Sequence, residues 1–292
     1  MRALTPTVTI GLFVFNGEKT LRQSFDSLLN QSFADFELVI SDNASTDGTE
    51  LICREYSERD HRIRYFRQVS NMGLFANIKA VLDAARGEYF MWATCDDIRS
   101  SDFIEANLEF LLANQDYVAS TSPNGFEGRS LDKESLVSFA LDGDAFTRFV
   151  RFFEYCWVSH GIFYSLIRTN VLRDCALIGK SFIAIDWAID LYLASRGKIH
   201  RTSEGYTVFG VSGISSSGGA YKAFRNSLIE LPIPFYRLTL YVIGLSRSFT
   251  FSQRVEIIHI LVRLNLKVAY DQFYSFLYRC YCAFFKFQTA QR

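Results

Sequence analysis

The sequence predicts an α/β protein, a mainly parallel sheet flanked by helices, with a helical and aromatic-rich C-terminal appendage. Two patterns carry that prediction. Over the first hundred residues short β-rich runs alternate with amphipathic stretches, the signature of βαβ units. From Tyr221 onward the chain holds 16 of its 46 aromatic residues and a net charge of +7, against −7 for residues 1–220.

Thr7–Phe15 reads as a buried first strand. It is not expected to be a targeting peptide, because threonines interrupt it and Asn16-Gly17-Glu18-Lys19 stands where a small-residue cleavage site should be. Asn16 is expected to cap a helix over Glu18–Leu29, whose Leu21, Phe25, Leu28 and Leu29 recur at helical spacing. Phe36–Ser41 is a second strand, Thr49–Arg59 a helix and Ile63–Arg67 a third strand. Phe75–Ala85 reads as a helix, Tyr89–Thr94 as a fourth strand, Asp102–Ala113 as a helix and Tyr117–Thr121 as a fifth strand. Ser122–Gly143 is polar without a sustained period, which predicts a loop or insertion. Gly161–Ile167 is strand-like, Asp186–Ser195 helix-like, and the Gly/Ser-rich Val211–Gly219 is expected to be mobile. The expected boundaries are a catalytic body over 1–220, in halves 1–121 and 122–220, and the appendage over 221–292.

With 292 residues and 49% hydrophobic content the chain can bury a sizeable core. Lys+Arg and Asp+Glu both total 31, which removes a global basic field, so nucleic acid is not an expected partner. Six cysteines without a CxxC pair indicate neither a zinc module nor a disulfide framework, and the cytoplasm is the expected compartment. Arg237, Arg247 and Arg254 interrupt the apolar runs of the tail, so interfacial helices fit it better than a spanning one. Each Lys or Arg near an anionic surface contributes ~1 kcal/mol. Peripheral attachment to the cytoplasmic face of the inner membrane is therefore expected, the alternative being a helical subdomain that packs on the body or on a second subunit of a homodimer.

In an open α/β sheet ligands bind beyond the carboxyl ends of the strands. Asn16, Asp42-Asn43 and Asp96-Asp97 all fall at such ends, and no GxGxxG or GxxxxGK[ST] motif is present. Two adjacent carboxylates at Asp96-Asp97 would suit Mg²⁺ or Mn²⁺ bridging substrate phosphates, or would cap the following helix as solvated groups. Asp42-Asn43 would accept a nucleobase imide N–H or form Asx turns. Asn71-x-Gly73 would present backbone N–H groups to a ligand, or is a plain loop-to-helix junction. Asp186, in an apolar run beside Trp187, is a candidate general base or an N-cap, and Asp190 shares its face one turn on. His61, His160, His200 and His259 show no metal spacing.

Val8-Thr9-Ile10-Gly11 through Phe15-Asn16-Gly17-Glu18, then Leu28–Thr49 with its Ser41-Asp42-Asn43-Ala44-Ser45-Thr46-Asp47-Gly48 run, closely resembles the opening of family 2 glycosyltransferases with the GT-A fold. Asn71-Met72-Gly73, Ala85-Arg86-Gly87-Glu88-Tyr89 and Asp96-Asp97 continue the likeness in the family's order. It is strong over 7–121 and weak to about 210. The resemblance implies a Rossmann-like GT-A sheet, with the nucleotide-sugar half over 1–121 and the acceptor half over 122–220. The implied activity is transfer of a sugar from a nucleotide diphosphate sugar to an acceptor hydroxyl, with inversion. The acceptor would be a saccharide or lipid-linked saccharide of polysaccharide biosynthesis.

It also implies roles. Phe15, Asn16, Asp42, Asn43, Asn71, Gly73 and Asp96 would contact the nucleotide sugar, Asp96 and Asp97 would hold Mg²⁺ or Mn²⁺, and Asp186, with Asp190 second, would be the base. Two positions depart from the family pattern: Asn43 stands for its second acid and Thr94 for the leading Asp of its metal motif. Relatives often carry a His or Arg on a later loop over the diphosphate; Val211–Gly219 has neither, leaving His200, Arg201 or Lys222 as substitutes. The competing classes are a degenerate nucleotide-sugar-binding module and, less favoured because Gly11-Leu12-Phe13-Val14 lacks a basic Gly-rich loop, a sugar nucleotidyltransferase.

Overall fold

The structure is a computed structural model that describes residues 5–129, 139–157, 161–211 and 223–290, with the side chains of 280 and 283–290 set aside. The chain divides into two units, one of residues 1–181 and 185–218 and a second of residues 182–184 and 219–292.

In the first unit, strands β1 (Val8–Val14), β2 (Phe36–Asp42), β3 (Ile63–Arg67) and β4 (Tyr89–Ala93) alternate with helices α1 (Leu21–Leu29), α2 (Thr49–Arg59) and α3 (Leu74–Asp83). A short β5 (Ile98–Arg99), α4 (Phe103–Ala113), β6 (Tyr117–Thr121), β7 (Asn124–Phe126), α5 (Ala145–Tyr155) and β8 (Leu166–Arg168) follow. Then come α6 (Thr169–Arg173), α7 (Ile185–Arg196), β9 (Lys198–Arg201) and β10 (Thr207–Phe209). The main sheet runs β3-β2-β1-β4-β8-β6-β9 and is parallel except for β8, which is antiparallel to both neighbours; β5-β10-β7 form a second, three-stranded sheet. This is the mainly parallel α/β architecture that the sequence predicts.

Every residue of β1, β2 and β4 is buried, as strands covered on both faces require. Val8, Ile10, Leu12 and Val14 of β1 pack with Leu21, Phe25 and Leu28 of α1 and with Phe103, Ile104 and Leu108 of α4. The apolar spacing of α1 thus buries one stripe. Asn16 does not cap this helix: α1 starts after Thr20, later than expected, while Asn16 takes a left-handed φ of 54°.

The region expected to be irregular contains β7, and α5 follows it unannounced. Asp144 caps α5 by accepting the Thr147 N–H (2.8 Å), and Phe149 and Phe152 are its buried positions. The strand expected over Gly161–Ile167 is confined to β8. Val211 lies at the edge of the described residues and the rest of Val211–Gly219 outside them.

In the second unit, a capping box formed by Ser227 and Glu230 opens a short 3₁₀ turn over Leu228–Glu230, and α8 (Tyr236–Leu245) and α9 (Phe251–Ala290) follow. Asn265 joins them. Its Oδ1 accepts the Phe235 N–H (2.8 Å) and its Nδ2 donates to Thr239 Oγ1 (3.0 Å). No helix among the described residues is long and apolar enough to cross a membrane.

Candidate active site

The strand order reverses at β1, which has β2 on one side and β4 on the other. Such a switch point opens a crevice beyond the carboxyl ends of those strands, because the connections on either side leave in opposite directions. Asn16, Asp42 and the Asp96-Asp97 pair follow or end β1, β2 and β4, so the topology brings these three clusters to one edge.

At the end of β2, Asp42 is fully buried. Its Oδ1 accepts the Ser45 N–H (2.9 Å), and its Oδ2 accepts the Tyr65 hydroxyl (3.2 Å) and lies 3.4 Å from Arg67 Nε. Asn43 braces the loop before α3. Its Oδ1 accepts the Met72 N–H (2.8 Å), and its Nδ2 donates to Asn71 Oδ1 (2.9 Å) and the Gly73 carbonyl (3.3 Å). Asn71 Oδ1 also accepts the Gly73 N–H (2.9 Å), so the backbone donors of residues 72 and 73 already have acceptors. Gly73, at φ 84°, makes the left-handed turn into α3 without a Cβ penalty. Asn16 is exposed beside them: its N–H donates to Ser45 Oγ (2.9 Å) and its Oδ1 accepts the Thr46 N–H (2.8 Å). Ala44 shares the left-handed region at φ 60°, a conformation that costs a non-glycine residue about 1–3 kcal/mol and clusters at functional sites. Phe15 is 46% exposed at the same edge.

Beyond β4 the chain reads Thr94-Cys95-Asp96-Asp97. Asp96 is half-buried and Asp97 buried. Asp97 Oδ1 accepts the Gly210 N–H (3.2 Å), whereas its buried Oδ2 meets no donor in hydrogen-bonding geometry, although the Thr94 hydroxyl, likewise without such a partner, stands near enough to favour the charged carboxylate. Burial pushes the Asp97 carboxyl up to about 6, against the attraction of the nearby Arg99 guanidinium. Arg99 is itself buried. It donates to the Trp92 carbonyl (2.9 Å), lies 5.4 Å from the Phe103 ring centre, and keeps Nε and Nη1 without acceptors. Gly210, just after β10, is pressed against Asp96: a Cβ there would stand 2.7 Å from the Asp96 Cβ and closer still to its carboxylate. The small sheet therefore lays a side-chain-free residue over both acids.

Asp186 is the second residue of α7, within the helix rather than at its cap, and follows Ala184 at φ 62°. Asp186 is exposed as a residue, yet enough protein surrounds its carboxyl for desolvation to raise its pKa, against the helix-start N–H groups that favour the charged form. Asp190, one turn on, is buried with Oδ1 unpartnered; burial and the Asp186 charge push it well above the usual range, against the pull of Arg201. Tyr164 links the acids. Burial and then the charges of Asp97, Asp186 and Asp96 all raise its phenol, so the three carboxylates gather within electrostatic reach of one hydroxyl. Tyr164 packs on Phe209 of β10 (5.5 Å between ring centres), and Phe163 beside it stacks on Trp92 of β4 (4.4 Å).

His200 and Arg201 are committed elsewhere, which removes both as substitutes over a diphosphate. His200 stacks on Phe110 at 3.5 Å, and Arg201 donates to the Phe139 and Ser122 carbonyls (3.1 and 3.0 Å) and to Asn124 Oδ1 (2.7 Å). Lys222 lies outside the described residues. Sequence reasoning missed Tyr164, Arg99 and Gly210. Arg99 stands two residues from the acidic pair, a signal that was available; Tyr164 and Gly210 reach the site only through strand pairing.

The sequence model of glycosyl transferase family 2 matches residues 9–168, more than half of the chain. The chain belongs to that family. Among curated proteins, this family 2 chain is 30% identical over 171 residues to the Streptococcus pneumoniae "Glycosyltransferase GlyA", covering 59% of this chain and 23% of that protein. It is 33% identical over 113 residues to the Bacillus subtilis "Putative glycosyltransferase EpsE", covering 38% and 41%. It is 31% identical over 107 residues to the Bacillus subtilis "Putative teichuronic acid biosynthesis glycosyltransferase TuaG", covering 37% and 42%. The chain thus spans less than half of each relative. Among solved structures, Staphylococcus aureus TarS 1-349 in complex with UDP-GlcNAc superposes with a TM-score of 0.66 at 17% identity, covering 88% of this chain and 71% of that one. A Pyrobaculum calidifontis mannosyltransferase in complex with GDP-Man and Mn²⁺ gives 0.54 at 16% identity, covering 88% and 73%. These likenesses establish the GT-A fold.

Proposed function

We propose that this family 2 chain transfers a sugar from a nucleotide diphosphate sugar to an acceptor hydroxyl by a single displacement with inversion, and that residues 1–220 carry the reaction. The observation that carries the reading is the Asp96-Asp97 pair at the switch-point edge, with a buried Asp97 oxygen that meets no hydrogen-bond donor, and with Asp186 near enough to act electrostatically on the same Tyr164. The relatives' names and the nucleotide sugars in two fold neighbours support the donor class.

No cluster of three His, Cys, Asp or Glu that would hold a metal exists among the described residues. Two carboxylates suffice where substrate phosphates and water complete an octahedron, as for Mg²⁺ and Mn²⁺. Asp97 Oδ2, buried and unpartnered, together with Asp96 beside it, fits such an ion. When bound, the ion would supply positive charge against the departing nucleotide diphosphate.

In this proposal Asp186 removes the acceptor hydroxyl proton. Its exposed position and raised pKa suit a base, and Asp190, one turn on and held well above the usual range, favours the protonated form and donates no competing charge. Phe15 and Asn16 border the nucleotide, Asp42, fully buried, shapes that edge through Ser45, Tyr65 and Arg67, and Asn43 acts by fixing the Asn71–Gly73 loop. The acceptor is a saccharide or lipid-linked saccharide of polysaccharide biosynthesis, met at the cytoplasmic face of the membrane. Thr94 at the position of the family's leading acid favours a second reading, a nucleotide-sugar-binding module without turnover.

A thermal-shift panel of UDP- and GDP-sugars with and without Mn²⁺, followed by a transfer assay with each stabilising donor, tests both. A donor present at 100 Kd stabilises by ~2.7 kcal/mol. Binding followed by nucleotide release supports transfer, binding without turnover supports the module, and no stabilisation by any donor removes both.

A further inference from the structure

In the second unit α9 has two unlike faces. Ile257, Leu261, Leu264 and Val268 are buried on the side that carries Asn265, whose hydrogen bonds reach Phe235 and Thr239. A different face carries Phe251 (85% exposed), Val255, Ile258, Val262, Leu266 (64%), Phe273 and Leu277, all large and exposed. From residue 269 to 282 no described side chain is buried, and Tyr270, Tyr274, Phe276, Tyr278 and Tyr281 are all exposed. A helix does not leave so much apolar surface in water without a partner.

The spacing narrows what covers it. Val255, Leu266 and Leu277 are eleven residues apart, as are Val262 and Phe273 and, with a small residue, Ile258 and Ala269. That repeat, about 3.67 residues per turn against the 3.6 of a straight helix, keeps the stripe nearly parallel to the axis for ~39 Å. A left-handed pair of helices needs 3.5, which this stripe lacks, whereas a right-handed pair or a flat surface fits 3.67. Charge decides between those two. Over the stripe Arg254, Arg263, Lys267 and Arg279 stand against Glu256 and Asp271, a net +2 within a tail of +7, so a second copy would face its own sign of charge, whereas an anionic surface complements it. The tyrosines along the outer half place hydroxyls beside apolar rings, the chemistry of the headgroup boundary.

We infer that the exposed stripe of α9, from Phe251 to Tyr281, lies along an anionic lipid bilayer surface. This rests on the lipid-linked acceptor reading only for its purpose; the surface itself is argued from α9. Bound this way, the helix lies in the plane of the headgroups with its stripe inward, and Arg263, exposed beside it, meets lipid phosphates.

The test is flotation of the full chain with vesicles of phosphatidylcholine alone and with about one third phosphatidylglycerol. Comparison is with Phe273→Glu/Leu277→Glu and with Ser275→Glu, which lies off the stripe. The expected result is flotation with the anionic vesicles, weakened at least ~10-fold by the double substitution and unchanged by Ser275→Glu. Failure to float with anionic vesicles overturns the inference, as does flotation indifferent to the double substitution. So does a dimer in solution that the double substitution dissociates without any vesicle binding, since the stripe then belongs to a second copy. Donor-induced thermal shifts measured on the same samples report the transferase reading separately, because none of the substituted residues belongs to the candidate active site.

Discussion

Two buried acids at opposite ends of the same sheet differ in a way that separates stability from function. Glu37, near the amino end of β2, accepts from Thr9 Oγ1 (2.8 Å), the Arg86 N–H (2.8 Å), Arg86 Nη2 (2.6 Å) and Arg64 Nη1 (2.8 Å). Burial would raise its pKa, but Arg86, Arg64 and Thr9 outweigh it, and the carboxyl lies below the ordinary range. Asp97, beyond the carboxyl end of β4, accepts one N–H, keeps an oxygen without a partner and lies above that range. A satisfied buried acid ties strands together. An unsatisfied one costs stability unless water or a ligand completes it.

Substitutions at the two ends should break this contrast in opposite senses. The largest effect is expected at the carboxyl end: Asp186→Asn should lower turnover ~10²–10⁴-fold while keeping the donor-induced thermal shift. Turnover equal to the parent's would remove Asp186 as the base. At the amino end, Glu37→Ala should destabilise the fold by roughly 2–3 kcal/mol in urea unfolding. That is less than for a fully buried pair, because Arg64 and Arg86 are 40% and 48% exposed and regain water. Glu37 contributes stability above its unfolded pKa of about 4.5, lost as pH falls through the lower folded value, so the variant's deficit should shrink in acid.

Asn43→Ala removes three hydrogen bonds to the Asn71–Gly73 loop. About tenfold weaker donor binding is expected, with turnover at saturation little changed; a loss in turnover alone would contradict a loop-fixing role. Asp97→Asn should do to stability the reverse of Glu37→Ala. The folded carboxyl holds its proton to about pH 6 and the unfolded one to about 3.8, so ionisation destabilises the ligand-free fold as pH rises between them. The variant should melt slightly higher than the parent at pH 7, a gain absent at pH 4, and lose the Mn²⁺-dependent part of the donor shift. The smallest effect is on pH dependence. The acid limb of kcat/KM should lie above the ordinary aspartate range, set by the raised Asp186 and its neighbour Asp190, and a limb at the ordinary value would place the base elsewhere.

The difference between the two ends was legible in the sequence only in part. The Asp42-Asn43 and Asp96-Asp97 clusters stood out because a polar cluster directly after an apolar run marks the end of a buried strand, where ligands bind in such sheets. Glu37 did not, sitting inside a strand whose apolar residues hid it, and its partners Arg64 and Arg86 are 27 and 49 residues away. For Asn16 the edge was legible and the task was not. Its type suits a cap, but its backbone turns left-handed, so its side chain meets Thr46 instead. Helix α5 is hidden in the sequence because its capping Asp144 follows a polar stretch that reads as loop.

By itself the sequence determined the alternation of strands and helices, the parallel half of the sheet, the acidic edge and the two-sided character of α9. All of these follow from local periodicity or from residues adjacent in the chain, where a pattern of 2 or 3.6 is enough. Only the tertiary structure decided that Tyr164 lies within electrostatic reach of three carboxylates, that Gly210 is pressed on Asp96, and that Asp97 is left short of a partner while Glu37 is not. Those facts depend on which strands pair and at what register. Pairing is set by the burial of whole faces, a sum over the core that no short stretch of residues contains.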